Sequence, residues 1–410
     1  MSPGFRFGVL LIFSLPGIYV AQGQTALSFQ KKIDLTDLGR KIENTVCFNT
    51  SVKDFERIKT TIGEKDNVYA TGLTINGDKL EPKEIKTRGQ SSLYFRRKSF
   101  SFSLESAASF HHGETAETFR KFYLLSLSMD RNYCNNHLAF ELMENSGLFG
   151  LFYSFCELIV NGRSEGIYLV IERPEDWALK KKNSPLLVRR GYNSRIDKLK
   201  TGKKTDKVET KKYMSCFRQI YRSLNKYEGE ELYKTLSNWL ETDMYMKWLA
   251  FNFFVRNGDY TDEVYFFIDP DTDKFGIIPW DYDDVFSLAP HEGTGEGRKF
   301  TGGKLFFSTE DVLDKKIVAD PYLYEKYLVQ FRELLNQLTS EVLEKVFENT
   351  YAELFPYYSN SETIKNSIYD QYKYDDLNSL ESRMLSLYEL LMNYRSTFLK
   401  YLEDYTFINP

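Results

Sequence analysis

Two short stretches of this 410-residue chain hold six carboxylates beside apolar strands. IIPWDYDDVF, residues 277 to 286, releases Asp281, Asp283 and Asp284 directly after a β-branched run. NGDYTDEVYFF, residues 257 to 267, sets Asp259, Asp262 and Glu263 directly before another. Burying charge next to a strand is costly unless something compensates it. Carboxylates that converge need a cation, a shared proton or full solvation. Neither stretch contains histidine, and an all-oxygen donor set suits Mg²⁺, Mn²⁺ or Ca²⁺ better than zinc.

The segments between the two acidic groups explain how they meet. VYFFI and FGIIP flank DPDTDK, in which Pro270 starts a turn and Asp269 caps it, so residues 264 to 279 read as a β-hairpin. Centring the turn between Asp271 and Thr272 sets Val264 opposite Pro279 and Asp262 near Asp281, and lets Asp259 approach Asp284. Trp280, between strand and carboxylates, reads as a core plug that holds Asp281 in place.

Three chemistries compete to explain such a convergence. A helix-loop-helix calcium loop fails on spacing, because its sixth position needs Gly and Lys274 stands there. A carboxylate pair of the glycosidase type is permitted by the many aromatic residues, though their spacing does not call for it. Phosphoryl transfer needs a metal-binding carboxylate, a carboxylate for the proton of the nucleophile and a cation over the phosphates. KTRGQSSLYFRRKSFSFSLE, residues 86 to 105, supplies the cations: Gly89, Ser91 and Ser92 let backbone approach phosphate, and Arg88 and Lys98 bracket the turn.

The elements that must position these groups are legible in outline. Residues 27 to 110 look β-rich, with Phe100, Phe102 and Leu104 alternating against Ser99, Ser101 and Ser103. HHGETAETFR at 111 to 120 reads as a polar connection, and the helix of residues 134 to 146 ends at Gly147. A hairpin joins strands 154–160 and 166–171 through Asn161-Gly162. Lys180 to Lys212 holds 13 basic and 3 acidic residues and reads as a solvated basic loop. A buried helix precedes Gly258, the glycine-rich 289–304 stretch lacks the phosphate-loop spacing, and residues 321 to 405 carry helical periodicity.

Bulk properties narrow the classes. The chain is 42% hydrophobic with a formal net charge of −4, so composition gives no case for nucleic acid as a partner. Residues 1 to 26 read as a signal peptide, since Pro16 and Gly17 interrupt an apolar run too short to span a bilayer, and no later segment is long and apolar enough to do so. The expected location is therefore secreted, periplasmic or cell-surface. Four cysteines without a CxxC exclude a disulfide scaffold or a cysteine zinc site and leave room for one or two bridges. The histidines, at 111, 112, 137 and 291, show no metal spacing: His111 and His112 read as an exposed pair and His137 as a packing residue.

The motifs together resemble the spore-coat CotH family of atypical, protein-kinase-like proteins. KTRGQSSLYFRRKSFSF (86–102), YLLSLSMDRNYCNNHLAFELMENSGL (123–148), ELIVNGRSEGIYLVIE (157–172) and NGDYTDEVYFFIDPDTDKFGIIPWDYDDVF (257–286) occur in that family's order. The resemblance implies an α+β, kinase-like fold in one domain over residues 27 to 405, with a β-rich part to residue 175 and a mainly helical part after it. It implies a kinase that uses ATP with Mg²⁺ or Mn²⁺ to phosphorylate Ser or Thr of an extracytoplasmic protein partner. Asp259 matches the catalytic aspartate and Asp281 the metal aspartate; Asp283, from its position alone, reads as a second metal ligand or as the cap of a following helix. Lys98 and Arg88 match phosphate contacts, Glu141 or Glu157 is open as the partner of the lysine, and Glu172 sits at the hinge as a nucleotide-site residue. Asp262 and Glu263 stand where the family has Asn, and a carboxylate binds Mg²⁺ as Asn does. Gln90 replaces the Asn of RGNSS and Ser99 replaces a proline. An inactive kinase-like binder is the alternative these departures leave, beside the glycosidase.

Overall fold

The computed structural model describes residues 29, 41–130, 132–192, 195–287, 290, 304–307, 310–367 and 376–408. The signal-peptide reading and nearly all of the glycine-rich stretch lie outside them.

Short strands β1 (Thr45–Asn49), β2 (Gly72–Ile75), β3 (Asp78–Leu80) and β4 (Pro82–Arg88) precede two long ones, β5 (Ser99–His112) and β6 (Thr115–Leu125). With β7 (Tyr153–Val160) and β8 (Arg163–Glu172) they form an eight-stranded sheet ordered β3-β2-β1-β7-β8-β6-β5-β4. All its pairs are antiparallel except β1 with β7. The stretch read as a polar connection is instead the end of a hairpin, with His112 paired to Thr115.

Alternation explains why β7 and β8 read as continuous apolar runs. In β8, Tyr168 and Val170 face a core of Phe48, Phe100, Phe102 and Phe122, while Ile167, Leu169 and Ile171 face the helices. Both faces of these strands are covered, so both sets of side chains must be apolar. Phe102 and Phe122 stack at 4.8 Å inside the curved sheet. Helix α1 (Val52–Thr60), capped by the Ser51 hydroxyl, contributes Phe55 and Ile58 to the same core.

Helix α2 (Asn135–Asn145) runs between β6 and β7 and is buried along most of its length. A second sheet, β10-β9-β11-β12, follows. Its strands are β9 (Leu186–Arg190), β10 (Ile196–Thr201), β11 (Val264–Asp269) and β12 (Lys274–Pro279). The basic stretch is thus not a loop: Leu186, Leu187 and Val188 are core, and β9 pairs with β11. The hairpin register is as read from the sequence, with Val264 opposite Pro279.

Helices α3 (Lys207–Ser223), α4 (Gly229–Ser237) and α5 (Thr242–Phe254) separate β10 from β11. The chain closes with α6 (Val312–Ala319), α7 (Pro321–Gln337), α8 (Ser340–Tyr358), α9 (Ser361–Ser367) and α10 (Leu377–Ile408). The fold is α+β, β-rich in its N-terminal part and mainly helical after it. Short α9 is seated on β8: the Ser367 hydroxyl accepts from Ile167 N at 2.7 Å. Gly166, with φ +94°, permits this approach, since a Cβ there would stand 2.8 Å from Ser367 backbone atoms. All four cysteines are unbridged. Among the described residues, no helix is long and apolar enough to cross a membrane.

Candidate active site

The loop after β12 turns sharply because Asp281 adopts φ 56°, a left-handed conformation that Asp tolerates better than most residues. That turn releases Asp281, Asp283 and Asp284 into a cleft of about 130 Å³, which Asp259 and Glu263 reach from the other arm of the hairpin. Leu127, at φ 57°, lines the same cleft. Strained backbone collected at one place is a mark of a working site.

Much of the remaining lining is hydroxyl and backbone. Gly89, Gln90, Ser91 and Ser92 form one part, and Ser99, Ser126 and Ser128 the other. Gly89 sits at φ +107°, and a Cβ there would lie 1.9 Å from the Ser92 Oγ, so only glycine fits this turn. The Ser126 Oγ bridges Ser99 at 3.2 Å and Ser128 at 3.0 Å, and Ser128 donates to the Arg97 carbonyl.

Aromatic packing fixes the cation of this lining. Arg88 lies over the Tyr123 ring at 4.2 Å and 5.9 Å from the Trp280 ring. Trp280 is buried, and its backbone N–H donates to the Glu263 carbonyl (2.9 Å), which ties the two acidic arms together.

The carboxylates are poised rather than relaxed. Burial and the charge of Asp281 push the Glu263 carboxyl well above its usual range, against the pull of Arg189. Burial raises Asp281 too, with Arg88 and Arg189 opposing and Asp262 adding to the rise. Asp283 is driven well up by burial and then by Asp281, Asp130, Asp284 and Asp259. Groups that repel one another in this way accept a cation readily.

The sequence-derived residues divide by position. Arg88, Asp259, Glu263, Asp281 and Asp283 share the cleft. Asp262 does not line it: its carbonyl accepts from Arg189 Nε at 3.0 Å and its charge acts on Asp281 from the side. Lys98 is buried, and its Nζ donates to the carbonyls of Leu93 (2.6 Å) and Thr61 (2.7 Å) under the Gly89–Ser92 turn. Glu172 lies at the end of β8, where Oε2 accepts from Phe152 N at 3.3 Å and stands 3.9 Å from Lys181 Nζ. Burial, partly offset by Lys181, pushes its carboxyl up to about 7. Glu157 accepts from Ser164 (2.6 Å) and Thr363 (2.5 Å), and Glu141 faces histidine.

Several residues of the site carry no signal in the sequence reading. Arg189 Nη2 pairs with Glu263 Oε2 at 2.7 Å, while its neighbour Arg190 points the other way into a fully buried bond with Asp314. Asn257 accepts from Asp259 N at 3.1 Å and fixes that turn. Asn136 accepts from Tyr282 N (2.9 Å) and Asn135 donates to the Asp283 carbonyl (2.9 Å), so the first turn of α2 holds the acidic loop. Asp130 caps that turn, and its burial, opposed by backbone N–H bonds, pushes its carboxyl up to about 7.

A second cluster is built around His137 and Glu141 of α2. His112, His137, Glu141 and Glu353 bring four donor atoms within 4.8 Å of one another, a set able to hold a metal ion. This corrects the reading of His112 as an exposed loop residue and His137 as packing alone. The available signal was His137 and Glu141 at i and i+4 on one helix face. Without a metal the cluster is an ion-pair network. Burial would lower the His112 imidazole, but its hydrogen bonds to Glu141 and Glu353 win and push it up to about 10. Burial would raise Glu353, but His137 and His112 hold it down to about 2.

The sign of the linkage follows. A raised His112 stabilises fully below 6.5 and loses its contribution as pH rises through about 10, while a lowered Glu353 stabilises fully above 4.5 and loses it as pH falls through about 2. In chelator, the difference in denaturation midpoint between the natural chain and Glu353→Gln is expected to be greatest between those ordinary values, 4.5 and 6.5, and to shrink on both sides. A midpoint difference independent of pH would contradict the ion-pair description.

Comparison with known proteins places this geometry in a family. The family model described as "CotH kinase protein" matches residues 85–383. The inner spore coat protein H of Bacillus subtilis (strain 168) is 22% identical over 367 residues, covering 85% of this chain and 94% of that protein. Among solved structures, the Helicobacter pylori proinflammatory kinase CtkA aligns over 68% of this chain and 94% of its own, at 12% identity and a TM-score of 0.29. HipA of a Shewanella oneidensis MR-1 toxin–antitoxin complex covers 75% of this chain and 65% of its own, at 11% identity and a TM-score of 0.26. Those two scores carry no argument about the fold, which rests on the chain's own sheets and on the family match.

Proposed function

The chain belongs to the CotH kinase family, and from that premise we propose that it is a secreted or surface-associated protein kinase. In this reading it transfers the γ-phosphoryl group of ATP to a Ser or Thr hydroxyl of an extracytoplasmic protein. The observation that carries the proposal is one cleft lined both by carboxylates and by glycine backbone, serine hydroxyls and Arg88. Phosphoryl transfer demands this division of labour, because a polyanion must be held next to carboxylates that would otherwise repel it.

Asp281, Asp283 and Glu263 line one cleft with raised proton affinity and offer oxygen donors only, a chemistry that suits Mg²⁺ or Mn²⁺. Such an ion, when bound, neutralises charge on the phosphate oxygens. Arg88 supplies the cation of the same cleft, and the Gly89–Ser92 turn supplies amide donors. Lys98 acts through that turn by bonding the Leu93 carbonyl beneath it. Glu172 enters as an anchor of the hinge rather than a nucleotide contact, and Asp262 as a charge that tunes Asp281.

Asp259, held by Asn257, orients the acceptor hydroxyl and takes its proton. The acceptor oxygen bonds to the γ-phosphorus as the bond from that phosphorus to the bridging oxygen of ADP breaks. The deciding experiment incubates the purified chain with γ-labelled ATP and Mn²⁺ or Mg²⁺. Label on Ser or Thr that disappears with chelator is the expected result. Absence of label with either metal, alongside tight nucleotide binding, would leave an inactive kinase-like binder in its place.

A further inference from the structure

The cluster around His137 and Glu141 of α2 has a composition unlike the acidic cleft. His112 comes from the end of β5, His137 and Glu141 from α2, and Glu353 from α8, so three elements distant in sequence converge on one point. His112 Nε2 lies 3.2 Å from Glu141 Oε1 and 3.3 Å from Glu353 Oε1, and His137 Nε2 lies 2.9 Å from Glu353 Oε2. Four donors on a tetrahedral ion at bond lengths of about 2.0–2.1 Å stand roughly 3.3 Å apart, so little adjustment separates this arrangement from a ligand shell.

Two further observations bear on a metal. The supporting shell is present: Thr350 Oγ1 lies 3.2 Å from His137 Nδ1 and can accept from it, and the Tyr153 hydroxyl donates to Glu141 Oε1 at 2.9 Å. Orienting bonds of this kind to ligand side chains are the usual companions of a metal-bound imidazole or carboxylate. A cavity of about 20 Å³ lined by Lys41, Pro356 and Tyr357 also borders Glu353. That volume exceeds the roughly 10–15 Å³ one water needs.

We propose that His112, His137, Glu141 and Glu353 bind one zinc-class divalent ion, which fastens the β5–β6 hairpin to α2 and α8. The mixed nitrogen and oxygen set selects zinc or a similar transition metal over Mg²⁺, in contrast to the all-oxygen cleft. Because Asn135 and Asn136, which hold the acidic loop, directly precede His137 in the same helix, the ion steadies the turn of α2 that supports the cleft. The inference does not depend on phosphoryl transfer.

The test uses the full chain carrying Asp281→Asn, which weakens the competing cleft, stripped with chelator and then given Zn²⁺ alone. One equivalent retained after desalting, a higher Tm and an X-ray absorption edge with two imidazole ligands are expected. Thr350→Val removes only the orienting hydroxyl and is expected to weaken Zn²⁺ about 10–100-fold. His112→Ala, at a half-buried position, is expected to abolish the retained equivalent. A stripped, folded chain that retains no Zn²⁺ would overturn the proposal and leave an ion-pair network. Retention unchanged in Thr350→Val and His112→Ala would overturn it equally.

Discussion

Asp259→Asn is expected to bind ATP with its metal as the natural chain does and to transfer phosphoryl on the order of 10²–10⁴-fold more slowly, the span of a positioned general base. The substitution keeps size and hydrogen-bonding shape, so the Asn257 Oδ1 contact to the backbone N–H of residue 259 survives. What it removes is the capacity to take the proton of the acceptor hydroxyl. A loss in turnover without a loss in nucleotide affinity separates this role from that of the metal ligands, whose removal acts on binding. Single-turnover transfer beside nucleotide titration makes the measurement. Turnover near the natural value would remove Asp259 from the chemistry, and a fall in affinity of the same size as the fall in rate would make it a ligand instead.

That the acidic hairpin could be read from sequence has a local cause. Its register follows from two five-residue apolar runs and one turn, all within 16 positions, and Val264 does oppose Pro279. The alternation of Phe100, Phe102 and Leu104 was legible for the same reason, because a strand with one face in a core repeats every second residue. Strands β9 and β10 were hidden by charge. Only Leu186 to Val188 of β9 are buried aliphatics, and nearly every residue of β10 faces solvent, so no period marks it. With β9 unread, Arg189 and its pairing with Glu263 could not be found.

Lys98 illustrates the opposite case, a motif residue whose sequence context points to phosphate and whose side chain is turned to carbonyls beneath the phosphate-facing turn. The histidine cluster was illegible for a third reason. His112 and Glu353 stand 241 positions apart, and no spacing rule connects them until α8 packs against α2. Local pattern sets elements and registers, whereas the charges that neutralise or complete a site come from whichever distant element the core brings alongside.

Replacing Asp281 by Asn is expected to move stability and function in opposite directions. In the natural chain without a metal, Asp281 is raised by burial and adds its charge to Glu263 and Asp283, so it opposes folding of the loop that carries it. Asn removes that repulsion and accepts the left-handed backbone at φ 56° nearly as well as Asp does, whereas Ala would introduce strain at the same point and blur the outcome. In chelator, Tm should therefore rise, as it does where a site keeps charge for work rather than for stability. With Mn²⁺ present the order reverses. The natural chain gains stability from the ion it binds, and the variant gains less. Metal-dependent affinity for an ATP analogue should fall by more than about 10², in line with losing one strong electrostatic contact in a preorganised site. Scanning calorimetry with and without Mn²⁺, paired with nucleotide titration, reads both effects on one sample. A variant that loses stability in chelator would place Asp281 among structural caps, and unchanged Mn²⁺-dependent affinity would remove it from the metal site. Only the crossing of the two effects fits a carboxylate held against its neighbours so that a cation can complete it.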